Sequence, residues 1–414
     1  MQPPPSVPDQ NSAPDGPSGP PDERPLIVVH SSEDLVAAVP YLVGFPPEQS
    51  LVVIAMRGSG RRQRLGMVAR FDLPPVGPRR GRGDEGSAGA IRALVGQVVD
   101  VLSRDAPEGV VVLVYDDQPC AMVPVWQRLV TRLQSGFRGA GVQVMDVLHV
   151  SGARFRSYRC TDPGCCPPEG RPLDPQSSVV AAEFVARGSS PMASRAALHA
   201  LVQPRDADTC AEVEAAAGAE LARLARADRR GERWRSWQTA SIRLVHEVSG
   251  RYVAGESGID AQEAGRLLAG LSDLPVRDAA CLAFTSWAHG QHDDLRGPAG
   301  AEPVTRMNEL LAELPDRGVA TDDRLSSVLA RDEALDRFWL DLATSCDGQL
   351  AVAPLTLLGV HVWSQGHGAL ALAATQRALA IDPHYRLAGL LDRALFHAIR
   401  PGAGEPGRHA RRVS

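Results

Sequence analysis

Gly109-Val110-Val111-Val112-Leu113-Val114-Tyr115-Asp116-Asp117 is the stretch that decides the fold. Its aliphatic run from Val110 to Val114 has no polar alternation, which fits a strand buried on both faces rather than one with a wet side. A strand covered above and below needs helices on both faces of its sheet.

The flanking sequence supplies those elements. Leu26 to His30 is an apolar, β-branched run, and Ser31 with Asp34 three residues later spells a capping box that opens a helix from Glu33 to Val43. Leu51 to Met56 and Leu65 to Asp72 read as strands joined by a turn rich in Gly and Arg. Pro74 to Gly89 has linker composition, and Ile91 to Leu102 carries apolar residues at helical spacing. Beyond the central strand come a helix from Met122 to Phe137 and a strand from Val142 to Val150. Arg154 to Cys160 then returns as a hairpin through Ser151, Gly152 and Ala153. The order βαββαβαβ predicts an α/β fold with a mixed, mostly parallel sheet and flanking helices.

From about Gln176 the periodicity is helical almost throughout. Leu358, Gly359, Ala371, Ala378 and Pro383 fall at the spacings of the small and apolar positions in a tetratricopeptide-like hairpin. The expected organisation is therefore a disordered Pro-rich tail over 1–25, an α/β domain over 26–173, an all-α domain over 174–401 and a basic disordered tail over 402–414.

Composition excludes several function classes. The chain has 414 residues, a formal net charge of -5 and 44% hydrophobic residues, the profile of an ordinary globular protein. No apolar run approaches the ~20 residues a membrane helix needs, and the proline-rich start does not resemble a signal core. Seven cysteines, an odd number, suit reduced thiols and a cytoplasmic location better than a disulfide framework. All 44 basic residues are arginine, so phosphate-loop, kinase and Schiff-base chemistry lack their amine.

Two places could carry chemistry. In open α/β sheets, ligands gather beyond the carboxyl ends of strands. His30, Asp116, Asp117 and His149 lie at three such ends and could serve acid–base work or a metal, although Ser31 and Asp117 also sit where helices need a capping acceptor. The second place is Cys160-Thr161-Asp162-Pro163-Gly164-Cys165-Cys166, whose thiols could take zinc, form a redox pair or sit in a proline-braced structural loop. Cys165 and Cys166 are adjacent, an awkward pattern for one tetrahedral ion. With Val150 paired to Arg154, His149 faces Phe155 and stands about 16 Å along the strand from Cys160, so a fourth ligand must come from elsewhere.

Other patterns carry less. Arg223, Arg226, Arg229, Arg230, Arg233, Arg235 and Arg243 with Trp234 and Trp237 could meet phosphates and bases, but Asp228 and Glu232 interrupt the run and the pI is near 6.1. A solvated helix face is the better reading, and nucleic acid is not an expected partner. Gly81-Arg82-Gly83-Asp84-Glu85-Gly86 spells a dinucleotide fingerprint, but it follows a linker and carries two acids that would repel a pyrophosphate. His289, His292, Asp293 and Asp294 lie where a helix is expected to end, a place for surface polar groups.

Val39-Pro40-Tyr41-Leu42-Val43-Gly44-Phe45-Pro46-Pro47-Glu48-Gln49-Ser50-Leu51-Val52-Val53, Ala69-Arg70-Phe71-Asp72-Leu73-Pro74, the Cys160 to Gly170 loop, Gly366-His367-Gly368-Ala369 and Asp382-Pro383 together form a specific combination. Over about Leu26 to Pro401 the chain resembles the actinobacterial domain-of-unknown-function family 4192. A lysine-free composition with two asparagines suits a high-GC actinobacterial genome. The resemblance implies no activity, cofactor or catalytic residue.

The functional expectation is a noncatalytic cytoplasmic binding or interaction protein whose helical domain presents a surface to a protein partner. One alternative is a hydrolase or metal-assisted enzyme working at the carboxyl edge of the sheet. Another is zinc binding through the Cys160 to Cys166 loop.

Overall fold

The computed structural model describes residues 29, 31–58, 64–75, 83–121, 126–174, 178–186, 189–229, 231–287 and 322–399. The strand expected over Leu26 to His30 lies outside them apart from Val29, as do both tails, His30, His289, His292, Asp293 and Asp294.

Among the described residues, β1 (Ser50–Arg57), β2 (Arg64–Asp72), β3 (Gly109–Tyr115), β4 (Gln143–Ser151), β5 (Arg154–Ser157) and β6 (Arg171–Pro172) form one sheet in the order β2-β1-β3-β4-β5-β6. β3 and β4 pair in parallel, while β1–β2, β1–β3, β4–β5 and β5–β6 are antiparallel. The sheet is mixed but mostly antiparallel, which corrects the expectation of a mostly parallel one. The cause is adjacency: β2 and β3 do point the same way, but the connection between them through α2 (Gly83–Ser103) passes over β1, which sits between them. The hairpins then add antiparallel pairs on either side. α2 also opens earlier than Ile91, so residues 83–89, whose composition reads as linker, are helical.

The central strands are covered on both faces, as the unbroken apolar run requires. Leu51, Val53 and Ala55 of β1 join Val110, Val112 and Val114 of β3 on one face, against α2 and α3 (Gln127–Gly139) through Leu94, Val98, Leu133 and Phe137. Val52, Ile54, Val111, Leu113 and Tyr115 point the other way, toward Leu35, Val36 and Val39 of α1 (Ser32–Val43). The period-two alternation of a strand assigns each residue to its face. Each fully buried aliphatic side chain here contributes roughly 1.5–3 kcal/mol relative to exposure. Ser31 does cap α1: its hydroxyl accepts from the Asp34 N–H and the Asp34 carboxylate accepts from the Ser31 N–H, both at 3.1 Å.

The β4–β5 turn fixes the register that matters for the site. Gly152 has φ +54, a left-handed value that glycine adopts at no steric cost. The two-residue turn closes on a Ser151–Arg154 pair, so Val150 faces Phe155 and His149 faces Arg156. This shifts by one residue the pairing expected from sequence.

The remaining elements are α4 (Val179–Ala186), α5 (Arg195–Leu201), α6 (Ala207–Leu224), α7 (Glu232–Val253), α8 (Ala261–Leu271), α9 (Leu274–Trp287), α10 (Asp322–Thr344), α11 (Val352–Ser364), α12 (Gly368–Ile381) and α13 (Arg386–Phe396). Their shared core is built on Leu267, Leu268, Phe338, Trp339, Leu342, Leu355 and Leu358. Gly359 lets α11 approach α12 and α13 closely, since a Cβ there would lie 3.0 Å from Thr375 Oγ1 and 2.9 Å from Leu391 Cδ2. Contacts also run back to the α/β part: Tyr41 stacks on Phe184 at 4.9 Å, the Met192 N–H donates to the Gly44 carbonyl at 2.8 Å, and Ala398 packs on the α2 side of the sheet.

Candidate functional site

Two side-chain clusters contain residues singled out from the sequence. The first grows from the parallel pair. β3 and β4 are in register with Val114 opposite His149, so Asp116, the residue after β3, and His149, two residues before the end of β4, project to the same face, the one covered by α2 and α3. Asp116 and His149 meet there, with His149 Nε2–H donating to Asp116 Oδ1 at 2.6 Å. Asp116 Oδ1 also accepts from the Gln118 N–H at 3.0 Å, and its Oδ2 accepts from the Trp126 indole. Both residues are buried, His149 almost completely at 1% exposure.

Burial alone would push the imidazole toward neutrality. The hydrogen bond to Asp116 and the neighbouring Cys120 outweigh burial and raise the His149 pKa to about 9. Burial also acts to raise Asp116, but hydrogen bonds from His149, Trp126 and the Gln118 backbone leave its carboxyl below the ordinary range. Desolvation pushes the Tyr158 phenol well up, with the Asp116 charge acting the same way, and its ring stands edge-on to His149 at 6.1 Å. Among the described residues, His149 Nδ1 and the Tyr158 hydroxyl have no hydrogen-bond partner. The pair is thus a closed, buried contact that fixes the loop after β3 against β4.

The other strand-end candidates go elsewhere. Asp117 is exposed and accepts from Gln49 Nε2 at 2.7 Å, and among the described residues it caps no helix; α3 has Trp126 at its N-cap without a side-chain bond. His30 lies outside the described residues.

The second cluster is the cysteine loop. One ligand atom from each of Cys160, Cys165 and Cys166 falls within 4.8 Å of the other two. The adjacency of Cys165 and Cys166 is no obstacle, because the chain turns tightly around Asp162. Its carbonyl accepts from the Cys165 N–H at 3.2 Å and the Cys166 N–H at 2.7 Å, and its carboxylate accepts from the Gly164 N–H at 2.8 Å. Cys165 is exposed, Cys160 half-buried and Cys166 buried. The Asp162 backbone and the Cys166 side chain hold the Cys160 thiol below its usual range, while Cys160 and Cys166 push Cys165 up, so the thiols share their protons unequally.

Both ends of this loop are tied to the sheet. Ser157 Oγ donates to Asp146 Oδ1 at 2.7 Å and accepts from the Arg159 and Cys160 N–H groups at 3.0 and 3.3 Å. The Arg159 guanidinium donates to the Val144 and Met145 carbonyls at 2.6 and 2.8 Å. At the far end, the Gly170 carbonyl accepts from Arg154 Nη1 at 2.6 Å, and Gly170 presses on Cys120 with a Cβ position only 2.8 Å from its sulfur. Gly170 therefore links the loop to the neighbourhood of His149.

The family model described as a domain of unknown function (DUF4192) matches residues 33–296 and 285–402. The chain belongs to the DUF4192 family. No curated protein and no solved structure matches it. Asp116, Cys120, His149 and the three clustered cysteines all fall within the first matched span, so both clusters are part of the DUF4192 domain rather than of an appended segment.

Sequence reasoning missed Cys120, Trp126, Ser157 and Gly170. Cys120 stands four residues after Asp116 in the same post-strand loop, and that spacing was the available signal. In the Arg-rich stretch, Trp234 is buried and tilted against Trp237 at 5.1 Å, and the half-buried Trp237 donates to Glu220 at 3.0 Å. No described helix is long and apolar enough to cross a membrane.

Proposed function

We propose that this DUF4192 protein is a noncatalytic metal-binding protein in which Cys160, Cys165 and Cys166 take one thiophilic cation, zinc being the ion such ligands most readily hold. The observation that carries the reading is the grouping of three ligand atoms within 4.8 Å. A tetrahedral zinc–thiolate centre needs sulfurs ~3.8 Å apart, from Zn–S bonds of ~2.3 Å, so closing on an ion requires movement of an ångström or less. Soft thiolates select zinc or copper(I) over calcium or magnesium.

The noncatalytic part of the reading rests on charge and closure. Zinc sites that activate water more often use neutral imidazoles than a full set of thiolates. Three thiolates leave such a complex with a negative charge, which opposes ionisation of a bound water. At the sheet edge, the Asp116 carboxylate is already occupied by three donors and sealed from solvent.

The test is elemental analysis of untagged protein purified without chelator, with a free-thiol count. Near one equivalent of zinc, lost in Cys160→Ser and Cys165→Ser proteins that still fold, is the expected result. A metal-free protein with seven reactive thiols after denaturation, and no uptake of added zinc, overturns the reading.

A further inference from the structure

Resting on the metal reading above, the geometry points to a specific ligand for that site: we infer that the fourth coordination position is left to an external thiolate. Among the described residues, the cluster comprises Cys160, Cys165 and Cys166 with no histidine, aspartate, glutamate or other cysteine joining it. Structural zinc sites close with four protein ligands, whereas three protein ligands leave one position for an exchangeable group. Asp162, the nearest carboxylate in the turn, is directed instead to the Gly164 N–H at 2.8 Å. His149 is held by Asp116.

The accessibility of the three thiols says where the open position faces. Cys166 is buried beneath the loop, while Cys165 is exposed and Cys160 half-exposed, so a bound ion has its protein side at Cys166 and its open side toward solvent. Pro163, Pro167 and Pro168 stiffen the loop, and the ties through Ser157 and Gly170 hold its ends, so the loop itself has no slack to fold a further donor of its own over the ion.

Softness selects the entering group. Three thiolates already make the ion a soft acceptor, and a fourth sulfur completes the four-sulfur set common among zinc centres. A thiol enters by losing its proton to solvent and displacing the bound water, so that one metal–oxygen bond breaks and one metal–sulfur bond forms with no change of oxidation state. The thiol can be that of a small molecule or a cysteine of a second protein.

The experiment uses full-length protein loaded with one equivalent of cobalt(II), whose sulfur-to-metal absorption in the near ultraviolet reports each metal–sulfur bond and whose bands in the red report geometry. Glutathione, a short cysteine-containing peptide, imidazole and acetate are titrated separately. The expected result is a rise of about one third in the sulfur-to-metal absorption, the ratio of four bonds to three, saturating at one equivalent of thiol and absent with acetate. Response to glutathione but not to the peptide identifies a small-molecule thiol, and the reverse identifies a protein thiol. Intact sulfur-to-cobalt absorption that no thiol changes overturns the inference while leaving the metal reading standing. Absence of that absorption before any thiol is added overturns the metal reading and the inference with it.

Discussion

His149 donates to Asp116 across 2.6 Å from the adjacent parallel strand, and this single contact joins the carboxyl ends of β3 and β4 inside the core. Its charge state sets a pH dependence. The His149 pKa rises from 6.5 to about 9 on folding, so the associated stabilisation is fully present below pH 6.5 and is lost as pH climbs through 9. Asp116 is lowered, so its share is present above the ordinary carboxyl range and is lost as pH falls through the depressed value. Urea unfolding from pH 6.5 to 9.5 should show stability falling by up to ~3 kcal/mol, and the fall should vanish in His149→Gln. An unchanged slope in that variant would assign the dependence to other groups.

Removing one partner should cost more than removing both. Asp116→Asn leaves a buried imidazole without its counter-charge and weakens the acceptor of the Trp126 indole, so a loss of ~3–5 kcal/mol is expected. Asp116→Asn combined with His149→Leu removes the stranded charge, and a loss smaller than that of Asp116→Asn alone is expected in chemical denaturation.

The α/β core was legible because the Val110 to Val114 run permits one reading, a strand with helices on both faces, and Leu51 to Met56 beside it agrees. Strand adjacency was not legible. Nothing in the α2 segment records that it carries the chain over β1 before β3 begins, so a parallel orientation was mistaken for a parallel neighbour. Strand-end logic found Asp116 and His149, because parallel strands bring residues near their carboxyl ends to one place. It also gathered Asp117, which the turn after β3 sends outward to Gln49. The clustering of Cys165 with Cys166 depended on the Asp162 turn, a conformation that spacing alone does not encode.

Ser157 should matter to metal uptake more than to folding. Its hydroxyl connects Asp146 to the backbone of Cys160. Ser157→Ala removes that brace, and partners that orient ligands are typically worth 10–100-fold in metal affinity. Zinc competition with a chelating dye should show a loss of about that size. Thermal unfolding of the metal-free protein should change little by comparison.

Gly170 carries two separable constraints. Its φ of +81 disfavours any side chain, and an added Cβ would lie 2.8 Å from the Cys120 sulfur and 3.1 Å from the Phe155 carbonyl oxygen. The carbonyl is fixed by the β5–β6 pairing, so the strain cannot be relieved by a small shift of that strand. Gly170→Ala should therefore destabilise by roughly 1–3 kcal/mol, the size expected for a residue forced into a sparsely populated backbone region. Adding Cys120→Gly removes the sulfur clash but leaves the backbone term and the Phe155 contact. Against a Cys120→Gly background, Gly170→Ala should cost less than in the wild type, yet more than zero. Equal costs in the two backgrounds, measured by a double-mutant cycle, would show that Cys120 gives way freely and does not couple the cysteine loop to the His149 neighbourhood.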